Sequence, residues 1–232
     1  MKIDIYPVDP RYGGDYMQKC VRLAESEIPE WYKKSRSYMS GGKFDVMPPH
    51  EKQTVKRCIP VFDYLTTGIN LYLPFTIYVH GKYPERTFNC NTVEPDICGL
   101  GSHNINQIQD FPLPIEFDPN PKKINFPYLI KAPKGYSAIY VQPINELSDK
   151  LLFPRGLVNV DKYNTQVNFP FFIKKDFEGY INAESHFMSV FFIKREKLSL
   201  NFKEYENAKG SILQSNTMIQ NWGKNFYRDN KI

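Results

Sequence analysis

The sequence predicts a mainly β protein with an antiparallel β-sandwich or barrel core, short helices and extended terminal arms. The core is expected within residues 132–196. Apolar runs rich in β-branched and aromatic residues occur there at Tyr136–Val141, Gln166–Ile173 and Phe187–Ile193. Turn signals separate these runs at Pro133-Lys134-Gly135, Pro154-Arg155-Gly156 and Glu178-Gly179. No helix-length window in this stretch has apolar residues at the spacing of one helical face.

Composition narrows the function classes. The chain has 232 residues, of which 17 are Phe and 16 are Tyr, an aromatic content typical of sheets and interfaces. The formal charge of +5 comes from scattered Lys and Arg, so a nucleic-acid groove is not expected. The 4 cysteines form no close pair, which favours reduced thiols in a cytosolic setting. No apolar run approaches the roughly 18 residues of a membrane helix, and no signal peptide is expected.

The first part of the chain predicts an N-terminal arm and loop region over residues 1–54. Lys2–Tyr6 alternates polar and apolar residues and indicates a short edge strand that ends at Pro7. Tyr16–Glu27 indicates a short helix. Ser35–Glu51 is rich in Ser, Gly, Pro and charge, so we expect a loop that either wraps a neighbour or becomes ordered on contact.

The β core is expected over residues 55–196, and a C-terminal helix and tail over residues 197–232. A short helix is predicted near Pro60–Thr67, because Pro suits a first helical turn and Gly68 suits the end. Leu71–Val79 is predicted to be a strand with an edge or bulge at Pro74. The apolar spacing within Phe202–Trp222, which Gly210 interrupts, indicates a strand end followed by the C-terminal helix.

No known catalytic or metal motif stands out. Cys90, Cys98 and His103 are spaced C-x7-C-x4-H, which is longer than the C-x2–4-C knuckles of structural zinc sites. We therefore predict no bound metal and no cofactor. The chain also lacks the nucleophile elbow and both glycine-rich phosphate loops.

One stretch contains motifs in a recognisable order: Pro133-Lys134-Gly135-Tyr136, then Gly156-Leu157-Val158-Asn159-Val160-Asp161-Lys162-Tyr163, then Gly179-Tyr180-Ile181. Residues 132–196 resemble the β-clip family of dUTPases and dCTP deaminases, which implies a β-clip-like core. In that family the first acid of the middle motif orients the hydrolytic water. The matching residue here is Asn159, a poorer base than a carboxylate. The family's phosphate contacts match Ile144 and Asn145, which bring no positive charge.

A second resemblance covers most of the chain. It rests on Ile28-Pro29-Glu30-Trp31, Val55-Lys56-Arg57-Cys58-Ile59-Pro60, Ala132-Pro133-Lys134-Gly135-Tyr136-Ser137, Gly156-Leu157-Val158 and Asn168-Phe169-Pro170-Phe171-Phe172. These segments are similar to a family of uncharacterised proteins of tailed bacteriophages, especially of marine and cyanobacterial hosts. That family often has Asp at the position of Asn159 and Gly-Thr-Pro near Glu184-Ser185-His186.

Two functional interpretations follow. In the first, the chain is a non-enzymatic virion protein that packs against other virion proteins or copies of itself. It would then be located in the host cytoplasm before assembly and in the virion afterwards. Trp31, Tyr32 and Trp222 are the interface candidates. In the alternative, it is a β-clip-like nucleotide-binding or nucleotide-hydrolysing phage protein that acts on host metabolism or defence signals. Asn159, Asp161 and Tyr163 are then the ligand-binding candidates.

Overall fold

The computed structural model describes residues 1–48, 51–92, 94–108, 110–145 and 147–203. Across these residues the fold is mainly β and sandwich-like, with several antiparallel sheets and few short helices, so the predicted fold class is confirmed. The chain forms two compact units. The core unit comprises Met1–Glu27 and Gly68–Arg195, and the small unit comprises Ile28–Thr67 and Glu196–Ile232.

The largest sheet of the core unit has five antiparallel strands. In spatial order they are β11 (Gly156–Val158), β9 (Tyr136–Val141), β14 (His186–Lys194), β3 (Ile69–Tyr72) and β2 (Val21–Leu23). The central strand β14 pairs with β9 on one side and with β3 on the other, where a bulge lies between His186 and Met188. Two of the three predicted apolar runs therefore lie side by side.

The third predicted run lies in a four-stranded sheet. Its antiparallel strands, in spatial order, are β10 (Leu151–Leu152), β12 (Asn168–Ile173), β7 (Lys122–Asn125) and β6 (Gly99–Ser102). Smaller sheets contain β13 (Gly179–Ile181), β4 (Ile77–His80) and β5 (Thr87–Cys90), and β1 (Asp4–Pro7) with β8 (Tyr128–Lys131).

An aromatic cluster joins the two larger sheets. Phe187 of β14 is fully buried, and its ring centroid lies 5.2 Å from that of Phe169 of β12. Phe126 and Phe153 lie 5.7 and 5.5 Å from the same ring. The pairs of Phe187 with Phe169 and Phe126 are edge-to-face, and such pairs add to the stabilisation that burial itself provides.

The helices are short. They are α1 (Asp15–Cys20), α2 (Glu30–Lys34) and α3 (Ile59–Thr66). Helix α3 confirms the helix expected near Pro60–Thr67, and α2 was not expected. Helix α1 covers only the start of the predicted Tyr16–Glu27 helix, because the chain enters β2 directly after Cys20 and pairs there with β3. The helix expected within Phe202–Trp222 concerns residues 204–222, which lie outside the described residues.

Two further expectations are corrected. The single strand expected over Leu71–Val79 is wrong, since β3 and β4 belong to different sheets and the chain changes direction at Pro74, which has no N–H to donate. The boundary expected at residue 54 also differs, because Met1–Glu27 belongs to the core unit. In that segment β1 pairs with β8 and β2 pairs with β3, so its backbone groups are satisfied inside the sheets.

Glu184 adopts a backbone conformation that is unusual for its residue type. Its φ of 62° lies in the left-handed region, which is uncommon for a residue other than glycine. Its carboxylate accepts a hydrogen bond of 2.8 Å from Arg22, whose guanidinium lies over the ring of Tyr72. The ion pair and its ring neighbour stabilise a turn that glycine would adopt without strain.

Gly68 and Gly135 both have a positive φ, of +84° and +91°, but differ in the space around them. A Cβ at Gly68 would lie 2.1 Å from the carbonyl oxygen of Val190, whereas a Cβ at Gly135 would meet nothing within 4 Å. We expect Gly135→Ala to cost about 1–2 kcal/mol through backbone strain alone. We expect Gly68→Ala to cost at least about 2 kcal/mol more, because β3 must also move away from β14. Urea unfolding of both variants measures the difference, and equal losses would contradict the packing at Gly68.

Candidate functional site

The ligand-binding candidates begin at the end of β11. Val160 is buried at 1% exposure, and its neighbours Asn159 and Asp161 face a polar network on the other side. The Oδ1 atom of Asn159 accepts hydrogen bonds from Ser137 Oγ at 2.7 Å and from Arg195 Nη1 at 3.3 Å. These two donors hold the Asn159 amide in one orientation.

The carboxylate of Asp161 accepts hydrogen bonds from a backbone N–H and from the same arginine. Its Oδ2 atom accepts hydrogen bonds from the backbone N–H of Gly135 at 2.9 Å and from Arg195 Nη2 at 2.5 Å. The hydrogen bond from Arg195 and the backbone N–H of Gly135 hold the pKa of Asp161 well below its usual range. Asp161 is therefore a carboxylate at neutral pH, and one of its oxygens already serves two donors.

The structure thus brings Asn159 and Asp161 together through Arg195, while the second carboxylate oxygen, Asp161 Oδ1, is buried without a hydrogen-bond partner among the described residues. A general base must reach the proton it removes, and a strongly lowered pKa makes a carboxylate a weak base. Sequence reasoning missed Arg195, Ser137 and Gly135. Their contacts with this segment span between 22 and 36 residues, so no local pattern indicates them.

A cleft of about 770 Å³ lies beside this network. Its lining includes His103, Leu157, Asn159, Lys162, Tyr163 and Pro170. The Tyr163 side chain is 42% exposed, while its carbonyl oxygen accepts a hydrogen bond of 2.7 Å from Lys131. The cleft combines an amide, a cation and an aromatic ring, and its volume falls within the roughly 300–1,000 Å³ typical of small-molecule sites.

Ile144 and Asn145 are the residues that the β-clip resemblance would place at a phosphate, and the structure shows both in other environments. The Asn145 side chain donates to the carbonyl oxygen of His186 at 2.6 Å and accepts from the N–H of Leu147 at 3.0 Å, so it stabilises a turn. Ile144 is 90% exposed and carries no charge. Neither residue presents a cation to a phosphate.

The cysteines and His103 do not converge in the structure. Cys98 is buried, and burial raises the pKa of its thiol to about 12, which disfavours the thiolate that binds metal. The Nδ1 atom of His103 lies 3.2 Å from Gln107 Oε1. Among the described residues no group of three His, Cys, Asp or Glu side chains could hold a metal ion. The absence of zinc stays a prediction.

The interface candidates differ from one another. Trp31 is 48% exposed. Tyr32 is only 4% exposed, its hydroxyl donates to the carbonyl oxygen of Lys56 at 3.0 Å, and its ring lies edge-on to Trp31 at 5.5 Å. Any contact by Tyr32 would therefore act through the shape of the surface around it. Trp222 lies outside the described residues.

A more exposed apolar surface follows β14. Leu198, Leu200 and Phe202 are 89%, 82% and 89% exposed. They alternate with the exposed polar residues Lys197, Ser199, Asn201 and Lys203. Sequence reasoning missed this surface although the signal was present, because strict apolar–polar alternation is the pattern of a strand with one buried face. We call residues 197–203 the alternating segment.

Comparison with known proteins does not assign the chain to a family. No family model matches the chain, and no curated protein matches its sequence. Within the residues that the structure describes, no helix is both long enough and apolar enough to span a bilayer. The residues themselves therefore carry the functional argument.

The lowered pKa of Asp161 predicts how stability depends on pH. Its folded-state pKa lies below the unfolded value of about 3.9, so the carboxylate stabilises the fold above that pH. The contribution is lost as the pH falls toward the folded pKa. We expect Asp161→Asn to lower the urea midpoint at pH 7 and the difference from the unmodified protein to narrow at the lowest pH that still allows folding. Asp149→Asn, at an exposed site, is the control, and a deficit that does not depend on pH would contradict the ion pair.

Proposed function

We propose that this chain is a non-enzymatic assembly protein that packs through its surface against neighbouring subunits. The alternating segment carries the proposal, because Leu198, Leu200 and Phe202 are almost fully exposed. In the setting that the phage resemblance implies, the neighbours are other virion proteins or copies of this chain. The protein then resides in the virion and, before assembly, in the host cytoplasm.

The energetic argument starts from the cost of exposure. Burying a Leu or Phe side chain stabilises a protein by about 1.5–3 kcal/mol relative to leaving it in water. In an extended chain alternate side chains point the same way, so these three would share one face. Soluble monomers rarely leave contiguous apolar surface uncovered, and such surface commonly marks a partner site.

The mode of contact follows from the same pattern. An extended segment with one apolar face can add to the edge of a partner's sheet, where main-chain hydrogen bonds supply affinity and the alternate side chains supply specificity. Lys197, Ser199 and Asn201 would then face solvent, which polar side chains tolerate without loss. The segment therefore fits an added strand better than it fits an isolated arm in water.

The network at β11 also supports a structural role. Asp161 is held by Arg195 and Gly135, and Asn159 is held by Ser137 and Arg195. A hydrolytic site needs a water oriented by a free acceptor and groups that stabilise developing charge. Here Asp161 instead links the end of β11 to the start of β9, through Gly135, and to the end of β14, through Arg195.

The alternative function is nucleotide binding by a β-clip-like site. The cleft beside Asn159 favours it, since Lys162 and Tyr163 would supply a cation and a ring to a ligand. Binding without turnover is compatible with the hydrogen bonds of Asn159 and Asp161. The two functions differ in what they predict for particle incorporation and for nucleotide turnover.

The assembly function predicts a face-specific effect of mutation. We expect Leu198→Asp/Leu200→Asp to abolish incorporation of the chain into particles, because charge on the apolar face opposes burial. Ser199→Asp/Asn201→Asp is the matched control, with the same added charge on the other face. Immunodetection in particles purified from complemented virus measures incorporation. Equal incorporation of both variants, or particles that lack the unmodified chain, would refute the proposal.

The same function predicts no turnover of nucleotides. We expect the protein with Mg²⁺ to release no phosphate or pyrophosphate from any deoxynucleoside triphosphate, because Asp161 is a weak base held by Arg195. Product analysis by ion-exchange chromatography is the measurement. Turnover that disappears in Asp161→Ala, while Asp149→Asn keeps it, would promote the alternative.

A further inference from the structure

The small unit contains a pocket of about 400 Å³. Ile28, Tyr32, Ile59 and Phe62 form its apolar part. The rings of Tyr32 and Phe62 lie 6.1 Å apart, and Tyr32 is fixed by the hydrogen bond of its hydroxyl to Lys56. The pocket is therefore preformed, and its volume suits one anchoring side chain together with part of the neighbouring backbone.

The polar part of the pocket is cationic. Lys33, Lys56 and Arg57 line it, and among the described residues no acidic side chain does. Lys33 is already paired with Glu30, whose Oε1 lies 2.9 Å from its Nζ, so Arg57 is the cation that a ligand would meet first. Lys56 Nζ donates to the carbonyl oxygens of Tyr32 and Lys33 at 2.6 and 2.9 Å, so the ammonium is held at the C-terminal end of α2. The arrangement favours a ligand with negative charge.

Gln53, one of the residues that line the pocket, has unpaired backbone groups among the described residues. Tyr38 and Gln53 form an antiparallel bridge flanked by the hydrogen bonds from Met39 N to Lys52 O and from Thr54 N to Ser37 O. In this pattern the N–H and C=O of Gln53 point away from Tyr38. Among the described residues neither group has a hydrogen-bond partner, and Gln53 lines the pocket.

We propose that this pocket binds an acidic, extended peptide segment of a partner protein, anchored by one apolar side chain. The backbone of the peptide pairs with the N–H and C=O of Gln53. Its apolar residue enters the space beside Phe62, and a carboxylate next to that residue lies beside Arg57. Each part of the site meets a matching part of the ligand.

The backbone edge favours a peptide over a compact anion. A small phosphate or carboxylate compound would satisfy the cations but would leave the paired donor and acceptor of Gln53 without an extended partner. A strand-like peptide satisfies both, as in other cases of strand addition. The exposed Trp31, next to Tyr32, extends the surface available to residues that flank the anchor.

The biological role of this site rests on the proposed assembly function, because a neighbouring subunit would supply the peptide. The binding itself does not depend on the alternating segment. Leu198→Asp/Leu200→Asp should therefore leave peptide affinity unchanged. This variant separates failure of the peptide site from failure of the assembly proposal.

The experiment uses a fluorescent form of acetyl-Asp-Glu-Phe-Glu-Asp-amide and the full chain. Fluorescence anisotropy should show saturable binding that weakens as salt increases. Arg57→Glu should weaken binding at least about tenfold. Lys34→Glu should change it less than about twofold, since Lys34 is 79% exposed on the same α2 but does not line the pocket.

Two peptide variants test the anchor and the backbone pairing without altering the protein. Replacing Phe by Ser should weaken binding at least about tenfold through loss of the apolar contact. N-methylation of the backbone next to Phe should do the same by blocking hydrogen bonds to Gln53.

Cys58 provides an independent test of peptide binding, because it lines the pocket and is partly exposed. In a Cys90→Ser background, where Cys20 and Cys98 are buried, the peptide should slow alkylation of Cys58 by iodoacetamide. No binding, equal loss in Arg57→Glu and Lys34→Glu, or unchanged affinity of the N-methylated peptide would each overturn the proposal. If particle incorporation still depended on the alternating segment, those outcomes would contradict the peptide site but not the assembly function.

Discussion

The packing of Phe187 against Phe169 and its neighbours is the interaction on which the core depends. β14 is the centre of the five-stranded sheet, and β12 belongs to the four-stranded sheet, so these rings join the two layers. Removing a buried Phe typically costs about 3–5 kcal/mol, a large part of the stability of a domain.

A polar constraint complements the aromatic one. Arg195 follows β14 and bonds to Asp161 after β11 and to the carbonyl oxygen of Tyr136 at the start of β9. One guanidinium thereby links three strand ends. Arginine suits this role because its planar side chain carries several N–H donors. The same ties withdraw Asn159 and Asp161 from the chemistry that their motif implies.

The two units offer different kinds of surface to a partner. The core unit carries the cleft beside Tyr163. The small unit carries the apolar face of the alternating segment and the cationic pocket beside Arg57. Apolar area supplies affinity, while charge and unpaired backbone groups supply orientation and choice of partner.

The sequence by itself determined the β class and the three main strands, because period-2 patterns and turn residues act over short distances. It also indicated α3, through Pro60 and Gly68. Only the tertiary structure decided that Leu71–Val79 divides between two sheets, that Met1–Glu27 joins the core unit, and that Arg195 takes up Asp161. Those outcomes depend on pairing between residues far apart in the chain, and local patterns contain no information about which distant partner satisfies a given backbone or charged group.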